Sequence, residues 1–295
     1  MATLFIIGNG FDIWNRLPTS YGKFHEKYKD DLDEHILYFS DFCDIDSEWA
    51  NFEESLGSFN EDDFHDNVTL QPSLEELGDD PKLLYGYEDE ISIKKEELVD
   101  DITDAFKEWI RSVDVNTAQK LMHFELPAYF VNFNYTRTLQ DVYGIPNFRV
   151  MHIHGSVGGG IIFGHGRNTT AATNGYETDE PWFNETKKEV GQVLGIFHKP
   201  VQDILERNRA TLQGYEDVDN IVVIGHSINE IDVPYFQCIL EAYPDAEWQN
   251  YNYVNDDEGV DEVSETHDKL LAIGVPQQKL NSYSSDDLKM LYPVP

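Results

Sequence analysis

Two asparagines, Asn132 and Asn134, stand two residues apart in "FVNFNYT". Two histidines, His152 and His154, are spaced the same way in "MHIHGS". In an extended strand, alternate residues point to the same face, so each pair would present both side chains together. A neutral imidazole titrates near pH 7 and can act as a general base. An asparagine can orient a water or a sugar hydroxyl without adding charge. His154, at the strand's end beside Gly155, is the better placed base, and His152 reads as a hydrogen-bonded core histidine. Asn134 reads equally as a cap for the helix that follows. The histidines His152, His154, His165 and His226 could instead offer nitrogen ligands to a metal. No HExxH pattern or diagnostic spacing of acids goes with them, so no metal ligand is assigned.

Two glycine-bearing segments have the same look. Gly8-Asn9-Gly10-Phe11-Asp12 follows an apolar run, and Gly225-His226-Ser227 follows another, "IVVI". Glycines permit a tight turn and let backbone amides approach a diphosphate. Ile13 stands where the third glycine of a dinucleotide fingerprint would be, so an ordinary strand-to-helix turn remains open. Gly225-His226-Ser227 offers a backbone loop and a hydroxyl to a ribose or phosphate. It is not a nucleophile elbow, because residue 229 is Asn.

These residues need strands to carry them. Residues 3–7, "AYFVNFN", "FRVMHIHG", "DNIVVIGHS" and "AEWQNYNYVN" read as strands, and "GGGIIFGHG" as a short glycine-bounded one. Helical spacing separates them in "TRTLQDVYG", in the stretch from Glu185 to Gly214, in "EIDVPYFQCILEAYP" and in "VDEVSETHDKLLAIG". Strands alternating with helices predict an α/β fold: a Rossmann-like, mostly parallel sheet with helices on both faces. In such sheets ligands bind beyond the carboxyl ends of the strands. The ends "GNGFD", "FNYT", "HIHGS" and "GHS" would therefore converge on one edge. Between about residues 20 and 125 the chain is acidic and aromatic, with Trp49, Phe52 and Leu56 on one helical face. Leu98, Ile102, Phe106 and Trp109/Ile110 fall on another. This block reads as a helical insertion within one domain spanning 1–295, with residues 71–89 as a loop inside it.

The 21 Lys+Arg against 56 Asp+Glu give a net charge of −35, which repels nucleic acid. A nucleotide would have to be held by local donors. The acidic surface serves solubility or salt, or docks a basic partner; separately, a protein partner or a homo-oligomer is left open. Two cysteines, Cys43 and Cys238, cannot build a four-cysteine zinc site or a disulfide framework, and both are expected reduced and buried. The N-terminus lacks the basic, long apolar pattern of a signal peptide, and no run is long enough to span a bilayer. A cytoplasmic protein is expected.

The segments "LFIIGNGFDIWNRLPTSYGKF", "WANFEESL", "FNYTRTL", "HIHGS", "FGHG" and "IGHSINEIDVPYF" together resemble the AbiH family of phage abortive-infection proteins. That match runs from the N-terminus to about Phe236, and the family more distantly resembles the sirtuin-like NAD-binding proteins. The resemblance implies NAD as ligand or substrate and no zinc. It implies Asn134 and His154 as catalytic residues. Gly8, Asn9, Gly10, Phe11, Asp12, Pro18, Gly225, His226 and Ser227 would then line the nucleotide. Asn9 and Asp12 replace small residues of the sirtuin loop, Tyr21 replaces an arginine and Thr136 an aspartate. Protein deacylation is therefore not expected, and cleavage of the nicotinamide–ribose bond by water is. A nucleotide sensor without turnover and a metal-dependent hydrolase or nuclease are the alternatives.

Overall fold

The computed structural model describes residues 1–42, 49, 51–68, 76, 80, 82–167, 181–255 and 260–294. Two compact units emerge. One comprises Met1–Ser20, Ile110–Ile162 and Pro200–Pro295; the other comprises Tyr21–Trp109 and Phe163–Lys199.

The first unit is built on a six-stranded sheet. Its strands are β1 (Ala2–Ile7), β2 (Ala128–Asn132), β3 (Val150–His152), β4 (Val218–Ile224), β5 (Glu247–Asn252) and β6 (Leu280–Ser284). Their spatial order is β3-β2-β1-β4-β5-β6, and every pairing is parallel. This is the doubly wound α/β arrangement, with its strand order reversing between β1 and β4. Successive side chains of β1 and β4 enter opposite cores, as a sheet buried on both faces requires. Leu4, Ile6, Val131, Ile221 and Val223 pack with α6 (Val201–Leu212), α7 (Val233–Ala242) and α8 (Glu262–Ile273). Phe5, Ile7, Phe130, Val222 and Ile224 pack on the other side with Phe11 of α1 (Asn9–Trp14), Phe124 and Tyr143.

The sixth strand was not expected from sequence. "LNSYS" alternates in burial and pairs only with β5, so half of it is polar. Conversely, "GGGIIFGHG" forms no strand, only isolated bridges, Ile161 with Gly155 and His165 with His198. Gly155 has φ +80, and a Cβ there would lie 1.7 Å from the Gly160 carbonyl oxygen. The glycine therefore serves this tight turn.

The second unit is helical and aromatic. It contains α2 (Tyr21–Ile36), α3 (Glu61–Val68), α4 (Lys82–Ser112, as far as Trp109) and α5 (Pro181–Val190). Leu98, Ile102, Phe106, Trp109 and Ile110 are all buried, as their spacing predicts. Phe24, Phe52, Phe106 and Trp109 form a continuous ring cluster. Trp49 is buried too, but it lies outside the helical turn that starts at Phe52, with φ 56. The loop expected at residues 71–89 is corrected in part: residues 82–89 belong to α4, and the rest lies mostly outside the described residues. Gly86 sits in the second turn of α4 with nothing within 4 Å of an added Cβ. Gly86→Ala is expected to stabilise this helix by about 0.5–1 kcal/mol, because alanine loses less backbone entropy on folding. A raised thermal midpoint checks it.

Glu53 carries the unit's densest polar contacts. Its Oε1 accepts from the Tyr21 hydroxyl at 2.6 Å, and its Oε2 from the Gly164 N–H at 3.2 Å and Lys199 Nζ at 2.6 Å. Burial pushes this carboxyl up, but Lys199 and the other donors outweigh it and hold it below the usual glutamate range. Cys238 is buried and free, and Cys43 lies outside the described residues. Among the described residues no helix is long and apolar enough to cross a membrane.

Candidate active site

The four polar segments begin on one row of the sheet. His152, Asn132, Ile7 and Ile224 are register partners across β3, β2, β1 and β4. The residues that follow each of them therefore emerge together at the carboxyl edge. Here the edge also includes the point where the strand order reverses.

The loops after β1 and β4 lock into each other. Gly8 N–H donates to the Ile224 carbonyl at 2.9 Å, and Gly10 N–H to the Gly225 carbonyl at 2.8 Å. Phe11 N–H donates to the Gly8 carbonyl at 3.0 Å. Three amides of the loop are thus already engaged, and its glycines admit the backbone of Gly225 and His226. A Cβ on Gly8 would lie 2.4 Å from the Gly225 oxygen. Asn9 Nδ2 donates to the Thr19 carbonyl at 2.7 Å, tying the loop to the residue after the exposed Pro18. Phe11 is fully buried among Trp14, Phe124 and Tyr143.

Asp12 is fully buried. Its Oδ2 accepts from Thr136 Oγ1 at 2.5 Å, and Thr136 in turn meets Thr138 at 3.0 Å. Burial raises the carboxyl to about 6, against the opposing pull of Thr136, Thr138 and Asn134. Its Oδ1 has no hydrogen-bond partner among the described residues.

Asn134 is 6% exposed. Its N–H donates to Asn132 Oδ1 at 3.1 Å, and its carbonyl accepts from His152 Nδ1 at 3.0 Å. Gln140 Nε2 lies 2.8 Å from His152 Nε2. That pair of contacts assigns His152 the tautomer protonated on Nδ1. Burial holds its pKa below the ordinary histidine value. His152 is therefore a neutral strut for the Asn134 backbone. Asn134 Oδ1 is buried without a hydrogen-bond partner among the described residues.

His154 stands in another cluster. Its ring meets Phe133 and Tyr235 edge-to-face, at 5.5 Å and 5.7 Å. Its Nε2 lies 3.8 Å from Asp232 Oδ1, while His226 Nε2 lies 3.7 Å from Asp232 Oδ2. His226 Nδ1 accepts the Ile228 N–H at 2.9 Å, which leaves the His226 proton on Nε2, toward Asp232. Ile228 has φ 52, a strained conformation for a β-branched residue, held by that bond and by burial. Ser227 is exposed, and its carbonyl accepts from Lys269 Nζ at 2.8 Å.

The sequence-derived residues thus form two groups at one edge: Asn134 with Asp12, and His154 with His226. His165 belongs to the second unit, where Nε2 meets the Leu194 carbonyl and Nδ1 the Arg167 N–H. Among the described residues no group of three or more potential ligands could hold a metal. Sequence reading missed Asp232 and the buried Asn250–Asn252–Thr266 network on β5 and α8. The signal for Asp232 was an acid directly before the Val-Pro that opens a helix. For the network it was two asparagines two apart on a strand.

A family model described as Bacteriophage abortive infection AbiH matches residues 4–252. No curated protein matches the chain, and no solved structure does. The match takes in β1 through β5 and both residue groups at the sheet edge, and on it the chain belongs to the AbiH family of bacteriophage abortive infection.

Proposed function

We propose that this abortive-infection protein handles a nucleotide at the carboxyl edge of its sheet and hydrolyses NAD at the nicotinamide–ribose bond. One observation carries the reading: Asn134 Oδ1, buried and without a hydrogen-bond donor among the described residues, lies two residues beyond the row on which four parallel strands are in register. A buried acceptor calls for a donor, and a ribose hydroxyl or a bound water supplies one. Water attacks C1′ of the nicotinamide ribose. The C1′–N bond breaks, and its electron pair neutralises the departing pyridinium. Asn134 orients the hydroxyl or the water, and His154 accepts the water's proton. With the amides of Gly8, Gly10 and Phe11 already engaged, the loop after β1 contributes closeness of backbone more than hydrogen bonds to a diphosphate.

Purified protein incubated with NAD should release nicotinamide. Asn134→Ala and His154→Ala should each slow release by about 10²–10⁴-fold. Release that survives both substitutions would remove the assigned roles, and no release from wild type would remove the activity. Binding without turnover is favoured by one feature: His154 is only 3% exposed, in an aromatic cage. Calorimetry showing NAD binding with no nicotinamide formed would select that reading.

A further inference from the structure

Asp12 is an acid where an amide would serve the fold better. It is fully buried in α1, just beyond β1, and burial raises its carboxyl to about 6. Above that pH the protein holds an ionised carboxylate away from water, which asparagine of the same shape would avoid. A charge kept under such a penalty points to a ligand. Thr136 Oγ1 donates to Asp12 Oδ2, and Thr136 lies two residues after Asn134, so the carboxylate stands beside that segment. The Asn134 side chain also acts on the carboxylate as a hydrogen-bonding group. Asp12 Oδ1 and Asn134 Oδ1 are each buried with no hydrogen-bond partner among the described residues. The Asn134 backbone is pinned by Asn132 Oδ1 and His152 Nδ1, so its amide is presented from a fixed base. Two neighbouring acceptors call for a molecule with two neighbouring donors. An ionised diphosphate offers acceptors only, and the carboxylate repels it.

We propose that Asp12 Oδ1 and Asn134 Oδ1 form a clamp for the vicinal diol of a ribose, one oxygen accepting from each hydroxyl. The clamp rests on the nucleotide site proposed above, but not on hydrolysis. It selects ribose over deoxyribose, because a missing hydroxyl leaves a buried acceptor unpaired. A hydroxyl bonded to the carboxylate favours its charged form, so binding lowers the Asp12 pKa and releases a proton near pH 6. Affinity is therefore highest above about pH 6 and falls as the pH drops through that value. The other titratable groups around the pair change little in this range. Tyr143, whose hydroxyl donates to Asn15 Oδ1, acts on Asp12 but is pushed up to about 12 by burial. His152 is held toward its neutral form by burial, and the Arg137 charge acts on it in the same direction.

The test is calorimetry on the full chain with ADP-ribose, which lacks the nicotinamide–ribose bond, and with its analogues lacking the 2′- or the 3′-hydroxyl of the terminal ribose. Each deletion should weaken binding to wild type by about 10–100-fold. In Asn134→Ala, one of the two analogues should bind as tightly as ADP-ribose does, its acceptor being gone. In Asp12→Asn, which keeps the shape, the fall in affinity below about pH 6 should vanish. That variant decides the matter if Asn134→Ala does not fold. Analogues that bind wild type as tightly as ADP-ribose overturn the proposal. So do failure of ADP-ribose to bind, binding that requires an added divalent cation, and a pH dependence that persists in Asp12→Asn. Nicotinamide release from NAD without discrimination among the analogues removes the clamp and keeps the hydrolysis; discrimination without release does the reverse.

Discussion

Gly225→Ala is expected to destabilise the parallel-sheet unit by about 2–5 kcal/mol, combining the cost of a left-handed conformation with that of overpacking. Gly225 has φ +60, and a Cβ there would lie 2.3 Å from Phe11 N and 2.5 Å from Gly10 C. Both neighbours are backbone, so no flexible side chain can swing away. Relief requires the loop after β4 to move from the loop after β1. That movement would disturb the contacts made by Gly8 and Gly10 N–H. A substitution at Gly158, in the same unit, provides the comparison, since nothing lies within 4 Å of a Cβ there. Urea unfolding should show a much lower midpoint for Gly225→Ala and a nearly unchanged one for Gly158→Ala. Equal midpoints would mean the two loops are not locked as described.

Asp12→Asn should make the protein more stable at pH 8 and alter its response to pH. The folded carboxyl titrates near about 6, and its ordinary value is 3.8. Between those values the folded state holds a proton that the unfolded state has lost. Stability contributed by this group is therefore fully present below about pH 4 and is lost as pH rises through about 6. The difference of about two pKa units corresponds to ~3 kcal/mol. Asparagine has the same shape, and its Oδ1 can still accept from Thr136, yet it never ionises. The gap in urea stability between variant and wild type should therefore open between about pH 4 and pH 6, then stay constant. Taking the difference removes groups common to both proteins, such as Glu53, whose lowered pKa gives stability lost as pH falls. A gap that does not change with pH would refute the buried, ionising Asp12.

The strand ends were legible because each of β1, β2 and β4 is an apolar run stopped by polar residues or glycine. A sheet buried on both faces needs such runs. β6 was not legible, since an edge strand with one partner tolerates Asn281 and Ser282 in its middle. The glycines of "GNGFD" illustrate a different limit. A phosphate-cradling turn and a turn packed against another loop both require a missing Cβ. Only the contact with Gly225, more than two hundred residues away, separates the two. Asp12 was visible as an acid near a candidate anionic ligand, but its burial against Thr136 depends on a pairing across 124 positions. His154 could be singled out from strand spacing. That Asp232 lies close to both His154 and His226 depends on where α7 begins, which no local pattern reveals.

Glu53 has a consequence for how the helical unit could be gained or lost. Its donors are Tyr21, Gly164 and Lys199, which begin or end the two segments of that unit or lie one residue from such a boundary. Trp109, which ends the first segment, packs its ring 6.2 Å from that of Tyr21. Three of the four boundary positions of this unit thus meet at one carboxylate, and the fourth packs against Tyr21. Once both segments have folded, their ends are already close, so little loop-closure entropy separates a chain with this unit from one without it.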